Sequence, residues 1–209
     1  FRGTKMGSYW NAHNNLAAVY ITQAIQNPSK RQELASKASA QLEIASRLRS
    51  SSEVNANMAT VALMQSNPWK SGTLATKALA GAGNDVVRGV NGVKAASEIY
   101  MARYAEAVAS ASSATATTEN LFNKGLAQLL NKDYANAASS FAEATRSNNN
   151  YALGWYGAAV AAARQNNTDG VLSNLGKAVQ ADPSLKAYAL SDLEFGKYFT
   201  SDAFRNLLK

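Results

Sequence analysis

The chain has no cysteine, which excludes disulfides, thiolate metal sites and a cysteine nucleophile together. Histidine is almost missing too. His13 stands alone, so neither a histidine-based metal cluster nor a Ser-His-Asp triad is expected. No apolar run reaches the roughly 20 residues that a membrane-spanning helix needs. Acidic residues are few and dispersed. Glu98, Glu106, Asp133 and Glu143 do not pair at a spacing that suggests general acid-base work, and Asp192 and Glu194, two residues apart, do not face each other on a helix. Phosphate-cradling loops are missing as well: Gly81-Ala82-Gly83 and Gly89 lack the lysine and Ser/Thr order of a P-loop, and no strand precedes them. An enzyme is therefore not expected, nor is a cofactor or a bound metal.

What the chain does have is apolar bulk and small side chains. Hydrophobic residues make up 46% of 209, ample for a packed core at this length. The composition leans towards Ala, Ser and Asn with only 3 prolines, which favours closely approaching helices. Lysine and arginine outnumber acidic residues 21 to 14, a net charge of +7, and that permits attraction to acidic partners. The basic residues are scattered, however. Their densest patch, Lys30-Arg31 with Lys37, Arg47 and Arg49, reads as the solvated face of one long helix rather than a nucleic-acid stripe. The first residue is Phe1 rather than Met, so a removed leader or a longer parent chain is expected.

An internal echo organises the rest. Gly125, Tyr134, Ala137, Phe141 and Ala144 are answered by Ala159, Thr168, Val171, Leu175 and Ala178, each pair 34 residues apart, and Asp182-Pro183 closes the second copy. Repetition at this period marks a stack of helical hairpins. Helix pairs are predicted over about 118–148 and 152–181, with turns at Lys132-Asp133 and Asn166-Asn167. Each second helix carries small or apolar residues at offsets 0, 4 and 7, which is one helical face. The same offsets recur as Ala38/Leu42/Ala45 and Ser71/Ala75/Ala78. First helices align through Asn15-Leu16-Ala17, Asn57-Met58-Ala59 and Asn123-Lys124-Gly125.

Five hairpins fit in a single domain over 1–209: about 8–50, 52–81, 84–114, 118–148 and 152–181, followed by a cap over 184–209. The third is the least regular. Its glycines (Gly81, Gly83, Gly89 and Gly92) predict a short or late first helix. In the cap, Tyr188, Leu193, Phe195, Phe199 and Phe204 are the apolar residues expected to cover the last repeat. Met58, Met64 and Tyr100 are read as core or near-core. Packing is the favoured reading for Trp10, His13 and Tyr20, and exposure for Trp69.

On these residues the sequence resembles the tetratricopeptide repeat (TPR) family. Trp155, Ala159, Ala178 and Pro183 fall on its signature spacing, as do Gly125, Tyr134, Ala137, Phe141 and Ala144. The match is strong over 118–183, looser over 10–80 and thin over 84–114; Thr168 and Lys124 depart from the usual tyrosine and leucine. The resemblance implies an all-α, right-handed α-α superhelix. A narrower likeness to envelope-associated repeat proteins of Bacteroidota rests on Asn174-Leu175-Gly176-Lys177-Ala178 and Asp192-Leu193-Glu194-Phe195. It implies an exported protein, periplasmic or associated with the outer membrane, with a cytoplasmic location left open.

First helices line the concave surface in this family. Asn15, Asn57 and Asn123 would form a column of amides there, able to hydrogen-bond the backbone of an extended peptide. Asparagine is also common at this place without a peptide, and Gly157 ends the column in the fifth hairpin. Towards the C-terminus, Phe122, Leu126, Leu130, Tyr156 and Val160 would make the groove apolar. Only Asn123 and Arg164 could then contribute to a carboxylate clamp. The expected function is a non-enzymatic scaffold that holds a peptide or partner protein through Asn15, Asn57, Phe122, Asn123, Leu126, Tyr156, Val160 and Arg164, within a larger envelope assembly. The alternatives are a structural subunit of an outer-membrane or secretion complex, held by its convex face or edges, and, less favoured, an RNA-binding helical repeat.

Overall fold

The computed structural model describes the backbone of residues 3–209 and the side chains of residues 9–83 and 86–209; Phe1 lies outside it. Every regular element among the described residues is helical. The helices group into two compact units, residues 1–115 and 116–209.

The first unit holds α1 (Gly3–Gln26), a 3-10 turn (Pro28–Lys30), α2 (Arg31–Leu48), α3 (Ser52–Met64), α4 (Pro68–Leu79), α5 (Asn84–Tyr100) and α6 (Tyr104–Ser112). α1 pairs with α2, α3 with α4 and α5 with α6. Between hairpins, α2 packs on α3 and α4 on α5. Periodicity explains the pairing: Ala38/Leu42/Ala45 and Ser71/Ala75/Ala78 are all fully buried. Alanine lets two backbones approach closely, and each buried leucine adds about 2 kcal/mol of transfer free energy. Pro28, which cannot donate a backbone hydrogen bond, opens the 3-10 turn before α2. The glycines misdirect the reading of α5, which runs 17 residues with Gly89 and Gly92 inside it. Packing against α4 and α6 outweighs the roughly 1 kcal/mol that each helical glycine costs.

The second unit holds α7 (Thr118–Leu130), α8 (Tyr134–Ser147), α9 (Ala152–Arg164), α10 (Thr168–Ala181), α11 (Leu185–Ala189), a second 3-10 helix (Leu193–Tyr198) and α12 (Asp202–Leu207). α7 pairs with α8, α9 with α10, and α8 packs on α9. Phe141 is fully buried between two glycines. A Cβ on Gly125 would stand 2.8 Å from its ring, and one on Gly157 would stand 2.6 Å away.

Four turns inside the hairpins share one construction. Ser66, Ala102, Lys132 and Asn166 have φ of 59°, 56°, 65° and 57°, the left-handed conformation that closes a helix. The next amide then reaches back five residues: Asn67 to Ala62 O (2.9 Å), Arg103 to Glu98 O (2.8 Å), Asp133 to Gln128 O (2.8 Å) and Asn167 to Ala162 O (2.9 Å). Three of those next residues also cap the following helix. Asn67, Asp133 and Asn167 accept from the amides of Lys70, Asn136 and Gly170.

The C-terminal segment seals the second unit. Phe195 and Phe204 are fully buried and Tyr198 and Leu208 nearly so, in one cluster with Val171, Leu175 and Ala178. Leu193, expected in this core, is instead 86% exposed, and Tyr188 is exposed as well. Tyr198 takes up the core role, stacking on Phe204 with centroids 6.3 Å apart. A 3-10 helix places side chains every third residue on one face, so Phe195 and Tyr198 point inwards and Leu193 does not. Tyr100 is likewise exposed rather than near-core.

Candidate functional site

The asparagine column is displaced by one residue at its start. Asn14, not Asn15, is buried, and its Oδ1 accepts from Asn57 Nδ2 at 2.9 Å; Asn15 is exposed. The amide of Asn57 is thereby oriented, and its carbonyl oxygen is left to accept from another donor. Beside it, α3 and α5 enclose a cavity of about 310 Å³. The α3 side carries Glu53, Asn57 and Thr60 with Ala56 among them; the α5 side carries Val86, Val90 and Val93 with Gly89 among them. No side chain projects from Gly89, and a Cβ there would meet nothing within 4 Å. At the mouth, hydrogen bonds from its own backbone amide and from Ser51 hold the Glu53 carboxyl below its ordinary value, so Glu53 is an anion at neutral pH.

Three of the residues expected along the groove of the second unit are taken up by the chain itself, while Leu130 is exposed. Tyr156 and Val160 are buried because the chain's own C-terminal segment lies across α9. Tyr156 donates to Asp192 Oδ2 at 2.7 Å and its ring meets Phe195 edge-on at 5.5 Å. Burial, and then the bond to Asp192, push its phenol well above the ordinary value. Arg164 is taken by Glu194 in a two-pronged pair, 2.6 Å from Nε and 2.5 Å from Nη2. Sequence periodicity correctly put these three on one face of α9 but carried no information about what covers that face.

Phe122 and Leu126 sit half-buried on α7. The Phe122 ring packs against Phe141 and Tyr151, both at 5.6 Å, and Asn123 is half-buried on the same helix. The structure thus brings together Phe122 with Leu126, and Tyr156 with Val160 and Arg164. Asn15 is separate from the α3 side of the cavity, to which Asn57 belongs.

A second depression, of about 630 Å³, lies among α4, α5 and α6. Trp69, 66% exposed, stands at its edge with the Arg103 guanidinium 5.9 Å from its ring centroid. Lys94 and Glu98 form an ion pair at its floor, and Lys94 also donates to Ser110 Oγ at 3.0 Å. Glu98 Oε2 is buried without a hydrogen-bond partner. Among the described residues no group of His, Asp and Glu could hold a metal ion, and no helix is long and apolar enough to cross a membrane.

No protein-family model matches the sequence, and no curated protein matches it. Solved structures do share its fold. YrrB, a TPR protein with an unusual peptide-binding site, aligns with a TM-score of 0.60 at 21% identity, over 78% of this chain and 85% of that one. MamA of Desulfovibrio magneticus RS-1, from its residue 41 to the end, aligns with a TM-score of 0.65 at 14% identity, over 80% and 96% of the two chains. The C-terminal part of a TPR repeat-containing protein from Cytophaga hutchinsonii reaches 0.57 at 15% identity, over 98% and 91%. At these identities the likeness is one of fold, and the fold is the all-α, TPR-like hairpin stack with a C-terminal cap that the 34-residue period predicts.

Proposed function

We propose that this chain is a non-enzymatic scaffold that holds a peptide segment of a partner protein, and that its binding site is the cavity between α3 and α5. One observation carries the reading: Val86, Val90 and Val93 from α5 and Glu53, Asn57 and Thr60 from α3 line one cavity. An extended peptide has the same two sides. Its side chains alternate while its backbone offers donors and acceptors throughout. An aliphatic side chain would enter against the valines, and a backbone N–H would donate to Asn57, whose amide Asn14 already orients. Preorganisation of that kind lowers the entropic cost of binding. The peptide-binding site named for YrrB supports the class of ligand, and stacked helical repeats present extended surfaces of the kind used for binding. Phe122, Asn123 and Leu126, in the second unit, remain a separate candidate contact; Tyr156, Val160 and Arg164 are withdrawn from the proposal, because the C-terminal segment holds them.

The placement in a bacterial envelope assembly, periplasmic or at the outer membrane, is part of the same proposal. Its support is the likeness of the C-terminal stretch to envelope-associated repeat proteins, and fractionation of the producing cell tests it. A second reading, a structural subunit gripped on another face, draws support from Trp69, an exposed aromatic beside a large depression and of a type enriched at binding hot spots.

The test uses Gly89→Trp. Open space around a Cβ at this position lets an indole fill the cavity without displacing the core. Peptides selected from a random library on the wild-type chain should bind the variant at least tenfold more weakly, by fluorescence anisotropy, with the melting temperature unchanged or raised. Undiminished binding would remove the cavity from the proposal, and loss of binding in Trp69→Ala instead would favour the second reading.

A further inference from the structure

We propose that the depression among α4, α5 and α6 is a second binding site, which takes an arginine side chain presented by a partner protein. The site is independent of the cavity between α3 and α5, and it gives the face around Trp69 a ligand. An unmet hydrogen bond identifies the class of group that enters. Glu98 is buried and lines the depression. Its Oε1 accepts from Lys94, but its Oε2, also buried, has no hydrogen-bond partner among the described residues. A buried acceptor costs free energy until a donor reaches it. The ligand therefore brings a donor.

Other oxygens around the depression have the same need. Thr73 and Thr76 line it from α4. Each donates its one hydroxyl hydrogen to a carbonyl a turn back, Trp69 O at 3.0 Å and Gly72 O at 2.9 Å. A hydroxyl committed in this way can only accept. Glu106, exposed on α6 at the same rim, is a further acceptor. On the donor side, Lys94 is already held by Glu98 and by Ser110 Oγ. The remaining polar surface is weighted towards acceptors. Its complement is a group that donates from several nitrogens and accepts nothing, and guanidinium, with five N–H donors, fits best.

Trp69 separates guanidinium from ammonium. Its indole is exposed at the edge, and the chain's own Arg103 lies over it with the guanidinium 5.9 Å from the ring centroid. That is close to the outer limit of a cation–π contact, about 6 Å, so Arg103 holds the ring face loosely. A planar guanidinium stacks on an aromatic ring while its fork of N–H groups reaches a carboxylate, and a lysine ammonium does not combine the two. The incoming arginine displaces Arg103 from Trp69 and donates to Glu98 Oε2 and Glu106. Met101, whose methyl group lies against Gly72, offers an apolar surface to the methylene stem.

The test titrates the 209-residue chain with Nα-acetyl-arginine amide, read on the backbone amide resonances of Gly72 and Met101. The citrulline and lysine amides serve as controls. The arginine probe should shift both resonances saturably. It should bind about tenfold more tightly than its neutral citrulline isostere, as a charge-assisted hydrogen bond exceeds a neutral one. Trp69→Ala and Glu106→Gln, both at exposed positions, should weaken binding severalfold with the melting temperature unchanged. Arg103→Gln should tighten it, because the ring face is vacated, and a gain of that kind does not come from damage to the fold. Glu98→Gln should lose most of it; if that variant does not fold, the three surface variants still decide. Gly89→Trp, which fills the other cavity, should leave this binding unchanged, so the two sites stand or fall separately. No saturable shift with the arginine probe would mean that water alone completes Glu98 and would overturn the site. Equal binding of citrulline, tighter binding of lysine, or weaker binding by Arg103→Gln would overturn the guanidinium assignment.

Discussion

Gly157 lies so close to Phe141 that a Cβ on it would stand 2.6 Å from the ring, and Gly125 crowds the same ring from α7. The fully buried phenyl group has glycine on two sides and no room to swing aside. Gly157→Ala should therefore destabilise the chain by about 1–3 kcal/mol, the range for overpacking a filled core, although alanine gains up to ~1 kcal/mol of helix propensity. Gly89→Ala, in open space, should show the opposite sign. Urea unfolding of the two variants side by side checks both, and equal shifts would mean that the ring yields.

Ala102 holds a left-handed backbone, φ 56°, without the polar side chain that makes asparagine tolerant of it. Left-handed geometry costs an L-residue about 1–2 kcal/mol. Ala102→Gly should raise stability by about 1 kcal/mol, and Lys132→Gly by a similar amount. Asn166→Gly should gain less. Thermal melts that rank Asn166 first would contradict this account.

The raised pKa of Tyr156 has a signed consequence. Its phenol is neutral in both states below the ordinary tyrosine value of about 10, so the stability it contributes is intact there. As pH rises further, the unfolded chain ionises while the folded one resists, and stability is lost. Tyr156→Phe should cost about 1 kcal/mol near neutrality and flatten the decline above about pH 10. Urea midpoints across that pH range decide the matter; identical slopes for the two proteins would exclude Tyr156 as the cause.

Lys94 shields a carboxylate that has few other partners. Glu98 is buried with one oxygen unpaired, and Lys94→Met would strand the charge at a cost of about 3 kcal/mol. Adding Glu98→Leu should recover most of it, since an apolar pair of similar volume avoids the desolvation penalty. A double variant no more stable than the single one would place the loss elsewhere, for example in the contact with Ser110.

Residues that repeat were the ones whose roles could be read in advance. The 34-residue echo located the turns at Lys132 and Asn166 and the buried faces of α8 and α10, because periodicity reports directly which side of a helix is apolar. It failed where a role depends on a distant segment. Gly157 reads in sequence as the end of an asparagine column, whereas its task is to admit Phe141. Tyr156 and Val160 are apolar residues on the expected face, yet nothing local announces that residues 192–198 lie over them. The adjacent pair Asn14-Asn15 defeats spacing arguments altogether, since a shift of one residue turns a side chain by about 100°, and only tertiary contact with Asn57 separates them. Of the cavity between α3 and α5, Asn57 alone was legible, because valines on α5 look like ordinary core.

The left-handed turns at Ser66, Ala102, Lys132 and Asn166 behave like a reading frame in space. Each joins two helices through so few residues that the count itself sets the azimuth of the second helix. One residue inserted into α8 just after Tyr134 would turn the side chains beyond it by about 100° and swing Phe141 away from Gly125 and Gly157. Three or four added residues would come close to restoring the phase. Length in these helices is therefore quantised in whole turns.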